Sequence, residues 1–396
     1  MQTAKVATPA ETTDKPARLY YIDWLRVLAM LSIFLFHNAR FYDSISGWHV
    51  KNASTGVGPT ILVGFLNHWM MPLFFILSGA AVYYALCFRT AGAFIKERVL
   101  RILIPLVLVG IFVLAPPQVY LERLTHSQFT GSFFQFYPHY FDGMYGFGGN
   151  FAWAGMHLWY LLYLFIFSLI TLPLLLPSKR TGMSLISRLA TLFEKPWALL
   201  LLFLPLAAVD ILIDVAGLGF TRATGGWSFF SYILFFIYGY LIFSNTRIQQ
   251  SVRTYSTIVL AVAVVLSVYG LILQFVIVPR GSSGTLPYEV IMLLRGLRVW
   301  CWILAILGLG SRFLNSNTRF LKYANEAVLP FYVLHQTVIL IIGFYVVQWS
   351  LTIGAKYSIV TGASFVAILV IYELLVRRFN VLRFLFGMRL KKRFAG

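Results

Sequence analysis

Residues Tyr20 to Asp43 read YYIDWLRVLAMLSIFLFHNARFYD, an apolar run too long for a soluble core helix that nevertheless carries Asp23, Arg26 and His37. Ionisable groups are costly in hydrocarbon, so within a membrane span they are expected to face protein or a watery cavity. At about 100° per residue, Arg26 and His37 return to within roughly 20° of the same helix face, about 16.5 Å apart along the axis. Asp23 precedes Arg26 by three residues and can pair with it. One face therefore presents an ion pair at one end and an imidazole near the other. The plainer structural reading, with the ion pair marking an interface and His37 the far boundary, leaves this shared face unexplained.

The rest of the chain agrees with a membrane protein. Hydrophobic residues make up 59% and charged residues 11%, with the apolar residues in long blocks. The net charge of +19 would suggest nucleic acid in a soluble protein. Here Lys and Arg at a cytoplasmic face would meet anionic lipid, so no nucleic acid is expected. Cys87 and Cys301 fall within or at the edge of spans and read as free thiols. Residues 1–18 read as a flexible cytoplasmic tail, 19–383 as one membrane domain and 384–396 as a basic cytoplasmic tail. No cleavage site follows a short apolar region, so the first span reads as a signal-anchor.

Ten spans are expected, at 20–40, 60–87, 98–115, 154–176, 196–217, 228–244, 255–278, 287–310, 326–350 and 356–376. All should be helices, because an open backbone cannot stay unpaired in lipid, and the fold class is an all-α polytopic helical bundle. Lys and Arg concentrate in alternate connections and in both tails, including Lys179, Arg180 and Arg188, whereas the opposite connections hold few, such as Arg222 and Arg280. That asymmetry places both termini in the cytoplasm, Arg26 near the inner face and His37 toward the outside.

Several later features bear on function. Pro72 and the Ser78-Gly79 pair should loosen the second span, although small residues more often serve close helix packing. Arg98 and Arg101, three apart at the inner end of the third span, read as one arginine face suited either to phosphate or to lipid headgroups. Residues 116–153 form a long external connection rich in aromatic residues and glycine, able to stack on sugars or to plug the outer mouth. His68, His157, Trp159, the pair Asp210 and Asp214, Glu289 and His335 fall in the outer half or mid-membrane, with Arg295 and Arg298 deeper. Any of them could be an internally satisfied polar group.

Common soluble catalytic signatures are missing, and the scattered histidines have no metal-ligand spacing, so no metal is expected. Cationic anchoring inside and a histidine outside, separated by the length of an extended organic arm, suit a phosphorylated cytoplasmic donor whose reactive end meets an acceptor from the other side.

Three motifs, YYIDWLRVLAMLSIFLFH, PLFFILSG and RVLRILIP, resemble the acyltransferase-3 superfamily of integral membrane acyltransferases. More narrowly, FHNARFYDSISGWHV, HLWYLLYLF and KYANEAVLPFYVLHQTVIL look like the osmoregulated periplasmic glucan succinyltransferase branch, and the likeness runs from about Tyr20 to Arg383. Ala80 departs from the aromatic residue that commonly follows the Ser-Gly pair. The resemblance implies acyl transfer from cytoplasmic acyl-CoA to a hydroxyl of a periplasmic glucan or other envelope glycan at the bacterial inner membrane. Acyl-CoA, either succinyl-CoA or acetyl-CoA, would be a donor substrate, with no permanently bound cofactor. It matches His37 to the essential histidine, Arg98 and Arg101 to the Arg-x-x-Arg pair, and Asp23 and Arg26 to the opening motif, with Ser78 and Gly79 in the second.

On this reading Arg26, Arg98 and Arg101 would hold the CoA phosphates. His37 would act as general base or as a nucleophile carrying an acyl-imidazole, and Asp210, Asp214 or Glu289 would orient it. Succinyl is the first choice of acyl group and acetyl, to another envelope polysaccharide or lipid-linked sugar, the second. The competing class is a transporter or flippase that uses the buried charges as a pathway. Oligomeric state is left open, with a homo-oligomer allowed.

Overall fold

The computed structural model describes residues 18–143, 154–177, 182–219, 225–272 and 287–391. Most of the tail at 1–18, the segment 144–153 of the aromatic connection, Lys179, Arg180, Arg222, Arg280 and residues 392–396 lie outside them.

Among the described residues the regular elements are all helices, without a β-strand. Eight helices are long and apolar enough to cross a membrane: α1 (Tyr20–Ala39), α2 (Val57–Leu86), α3 (Ala91–Thr125), α5 (Pro196–Val215), α7 (Thr246–Ile272), α8 (Tyr288–Phe313), α9 (Arg319–Val346) and α10 (Ile353–Val376). Two shorter apolar helices, α4 (Met156–Ile170) and α6 (Phe229–Phe243), occupy the positions of the fourth and sixth expected spans. The molecule is an all-α polytopic bundle.

Helix α1 is central and packs on α2, α8, α9 and α10. Helices α1, α2 and α9 are buried over most of their lengths, whereas α7 and α10 present most of theirs outward. The tightest approach joins α2 to α6. A Cβ on Gly79 would stand 2.0 Å from Phe236 O, and one on Gly239 would stand 2.0 Å from Ile76 O. Gly79 therefore serves packing, and α2 runs unbroken through Pro72.

Helix α3 departs from the expected span. Instead of ending near residue 115 it continues to Thr125, through π-type turns at Val99–Leu103 and Pro105–Leu114. Proline lacks an N–H donor, and each π-type stretch leads into one of these prolines, Pro105 or the Pro116-Pro117 pair. The widened turns carry the helix past the breaks. Beyond it, Ser132 and Gln135 form a capping box on a short helix, Phe133–Phe136. Phe136 and Tyr140 then pack with Ala115, Val119 and Met156 in a small second core, so part of the aromatic connection plugs rather than projects.

The C-terminal segment folds back on the end of the bundle that holds Asp23. Buried Arg383 pairs with Glu326 at 2.8 Å and donates to Arg389 O, and Phe384, Met388 and Leu390 lie against α3 beside Arg101.

Candidate active site

Two chambers occupy opposite ends of α1. At one end Asp23 accepts hydrogen bonds from Arg26 at 3.1 Å and from Arg18 at 2.7 Å. Arg18, Asp23 and Arg26 line a cavity of about 450 Å³ together with Tyr84 and Arg89. At the other end His37 is buried against a cavity of about 460 Å³, shared with His49, Glu122, His157, Trp159 and Gln336.

Helical periodicity puts Arg26 and His37 on these chambers, but tertiary packing equips them. The His37 ring centroid lies 5.0 Å from that of His335, which lies 5.0 Å from that of His157, both pairs edge to face. Trp48 closes the other side of His37 at 5.2 Å. Nδ1 of His37 is buried without a hydrogen-bond partner. His157 and His335 are tied to α9: Nε2–H of His157 donates to Val333 O at 3.1 Å, and Nδ1–H of His335 donates to Tyr332 O at 2.6 Å. These bonds leave Nδ1 of His157 to accept from the Gln118 amide at 3.2 Å.

A polar chain missed in the sequence completes this end. Gln336 donates to Gln118 Oε1 at 2.9 Å and to His49 Nε2 at 3.2 Å, so His49 donates from Nδ1 to the Glu122 carboxylate at 2.5 Å. The connection that delivers His49 is braced by Asp43, which is fully buried and holds Arg40 at 2.9 Å and Lys51 at 3.1 Å. Burial pushes the Lys51 ammonium below its ordinary range, against the opposing pull of Asp43.

The interior between the chambers is also polar. Ser78 and Tyr160 share a hydrogen bond of 2.5 Å. The Tyr160 ring lies 5.8 Å from Tyr332, whose hydroxyl donates to His157 O at 2.6 Å.

Arg98 and Arg101 do not form a single arginine face. Arg98 turns inward over Phe94, with a buried Nε that has no partner, whereas Arg101 pairs with Glu97 at 3.4 Å and faces the C-terminal segment. The π-type winding that begins at Val99 turns less per residue than an α-helix, so residues three apart separate around the axis.

The remaining sequence candidates lie elsewhere. His68, Arg295 and Arg298 line a different cavity, Asp210 pairs with Arg295 at 3.3 Å, and Asp214 and Glu289 are exposed. No carboxylate among the described residues hydrogen-bonds to His37. The groups missed were His49, Glu122, Gln118, Gln336, Tyr160 and Arg18. Of these, Gln336 adjoins His335 in sequence, and Glu122 becomes visible only once α3 is extended. Among the described residues, no three His, Cys, Asp or Glu side chains are disposed to hold a metal ion.

No solved structure matches the chain. Among curated proteins it is 27% identical to the glucans biosynthesis protein C of Salmonella gallinarum, covering 93% of this chain and 94% of that one. The protein of the same name from Salmonella heidelberg is also 27% identical, with the same coverage of both chains. The model of the acyltransferase domain family, acyltransferase-3, matches residues 19–374. With that match spanning most of the sequence on an apolar helical bundle, the chain belongs to the acyltransferase-3 family of membrane acyltransferases.

Proposed function

We propose that the protein transfers an acyl group, succinyl in the first instance, from cytoplasmic acyl-CoA to hydroxyls of a periplasmic glucan across the bacterial inner membrane. The observation that carries this reading is the placement of Arg26 and His37 on one helix, each lining its own chamber toward opposite ends of α1. Arg26 and Arg98 would hold the donor's phosphates by charge-assisted hydrogen bonds, with Arg101 at the entrance. The pantetheine arm would pass Tyr160, bringing the thioester to His37 over the rise of about 16.5 Å between Arg26 and His37.

At His37 the acceptor hydroxyl gives its proton to the imidazole as its oxygen bonds to the thioester carbon. The carbon–sulfur bond then breaks and the proton leaves with the CoA thiol. In the two-step form the imidazole nitrogen bonds to the thioester carbon as the carbon–sulfur bond breaks and CoA leaves as its thiol with the imidazole N–H proton; the hydroxyl then displaces the imidazole, which takes the hydroxyl proton. The name of the Salmonella relatives supports a glucan acceptor. The test is CoA release by the purified full chain in lipid, with succinyl-CoA or acetyl-CoA and added linear β-glucan, for wild type and His37→Ala. Glucan-dependent release that disappears in the variant is expected; absence of turnover with either donor by folded protein overturns the reading.

A further inference from the structure

A third cavity, about 350 Å³, lies apart from both chambers, between α2, α7 and α8. Arg295 and Arg298, a turn apart on α8, reach it, facing His68 of α2. Arg295 is engaged: besides Asp210 it donates to Gly226 O at 2.5 Å, and its guanidinium lies 4.1 Å from the centre of the Trp227 ring. Arg298 differs. Its Nε donates to His68 Nε2 at 2.8 Å and its Nη2 lies 3.1 Å from His68 Nδ1, but no carboxylate reaches it among the described residues. The stretches 220–224 and 273–286 contain no Asp or Glu. Two permanently charged guanidiniums here share one carboxylate, which leaves positive charge uncompensated inside a membrane-spanning segment.

The position of the groove says what could answer that charge. Ile61, Phe65, Leu271 and Ile291 at its rim are exposed apolar side chains, so in a membrane the groove opens sideways into acyl chains. Helix α8 has 26 residues. At about 39 Å it is longer than the ~30 Å hydrocarbon core. Arg295 and Arg298 fall within its first three turns, and their long side chains can reach the headgroup boundary. A ligand with a compact anion and an apolar body satisfies both ends of such a groove, whereas a soluble anion would have to cross an apolar rim.

We propose that this groove binds the phosphate of an anionic membrane lipid, held by Arg298 with His68, with the lipid chains lying along Phe65 and Leu271. The site is independent of the acyl-transfer reading. Gly64 lines the groove, and a Cβ there meets nothing within 4 Å, so Gly64→Leu fills the space without removing a charge. The test is the melting temperature of the delipidated full chain in detergent after adding dioctanoyl phosphatidylglycerol, with dioctanoylglycerol and inorganic phosphate as controls. Phosphatidylglycerol should raise the wild-type melting temperature, Arg298→Lys should keep part of the shift, and Arg298→Gln and Gly64→Leu should lose it. Phosphatidylglycerol adducts in native mass spectra should follow the same order. If Arg298→Gln does not fold, Gly64→Leu decides. An undiminished shift in Gly64→Leu, an equal shift with dioctanoylglycerol, or its reproduction by inorganic phosphate would overturn the proposal.

Discussion

Gly79 and Gly239 bring α2 and α6 so close that a Cβ on either would strike the other helix's backbone at 2.0 Å. Backbone cannot give way as a side-chain tip can. Gly79→Ala and Gly239→Ala should each destabilise the fold by about 1–3 kcal/mol or more, as overpacking does. A lowered melting temperature of the purified protein would register this, and an unchanged one would contradict the close approach.

Arg98 and Arg101 should be unequal. Arg98 lies over Phe94 with an unsatisfied buried Nε, whereas Arg101 already pairs with Glu97. Arg98→Gln should raise the donor KM about tenfold, the equivalent of losing one charge-assisted hydrogen bond of ~1.5 kcal/mol. Arg101→Gln should raise it less. Equal effects would restore the paired-arginine face.

Tyr160→Phe removes only a hydroxyl, which bonds Ser78. One lost neutral hydrogen bond of about 1 kcal/mol corresponds to roughly fivefold in KM for the donor. Steady-state kinetics with acyl-CoA varied should show that change, with KM for the glucan unmoved.

Glu122 fixes the tautomer of His49 across 73 positions of sequence. Glu122→Gln keeps the shape but loses the charge, so His49 should reorient and turnover should drop about tenfold, the equivalent of ~1.4 kcal/mol. The effect should appear in glucan-dependent CoA release while the melting temperature stays near that of the wild type.

Much of this arrangement could be read from periodicity. Asp23, Arg26 and His37 lie on one regular helix, so their spacing alone placed the ion pair and the imidazole toward opposite ends. Helix positions were legible for the same reason, since apolar blocks must become helices in lipid. Two things were hidden. The third span was expected to end near residue 115, and only the π-type turns beside Pro105, Pro116 and Pro117 show that Glu122 and Gln118 extend it and that Arg98 and Arg101 diverge. His49 comes from a connection, and nothing local indicates that Asp43 clamps that connection through Arg40 and Lys51. Asp210, placed by depth beside His37, pairs with Arg295 because depth along a helix does not specify which neighbour it faces.

Helix α1 carries Arg26 and His37, each on its own chamber, and α3 carries Arg98 near its start and Glu122 on the His37 chamber. The two rods act as rulers laid side by side. One residue inserted between Arg26 and His37 would turn the imidazole by about 100° and lift it by about 1.5 Å. The π-type stretch of α3 makes the second ruler adjustable: tightening one of its turns would swing Glu122 against His49 while Arg98 stayed in place. A change of helical pitch near the arginine chamber would in this way move groups at the His37 chamber.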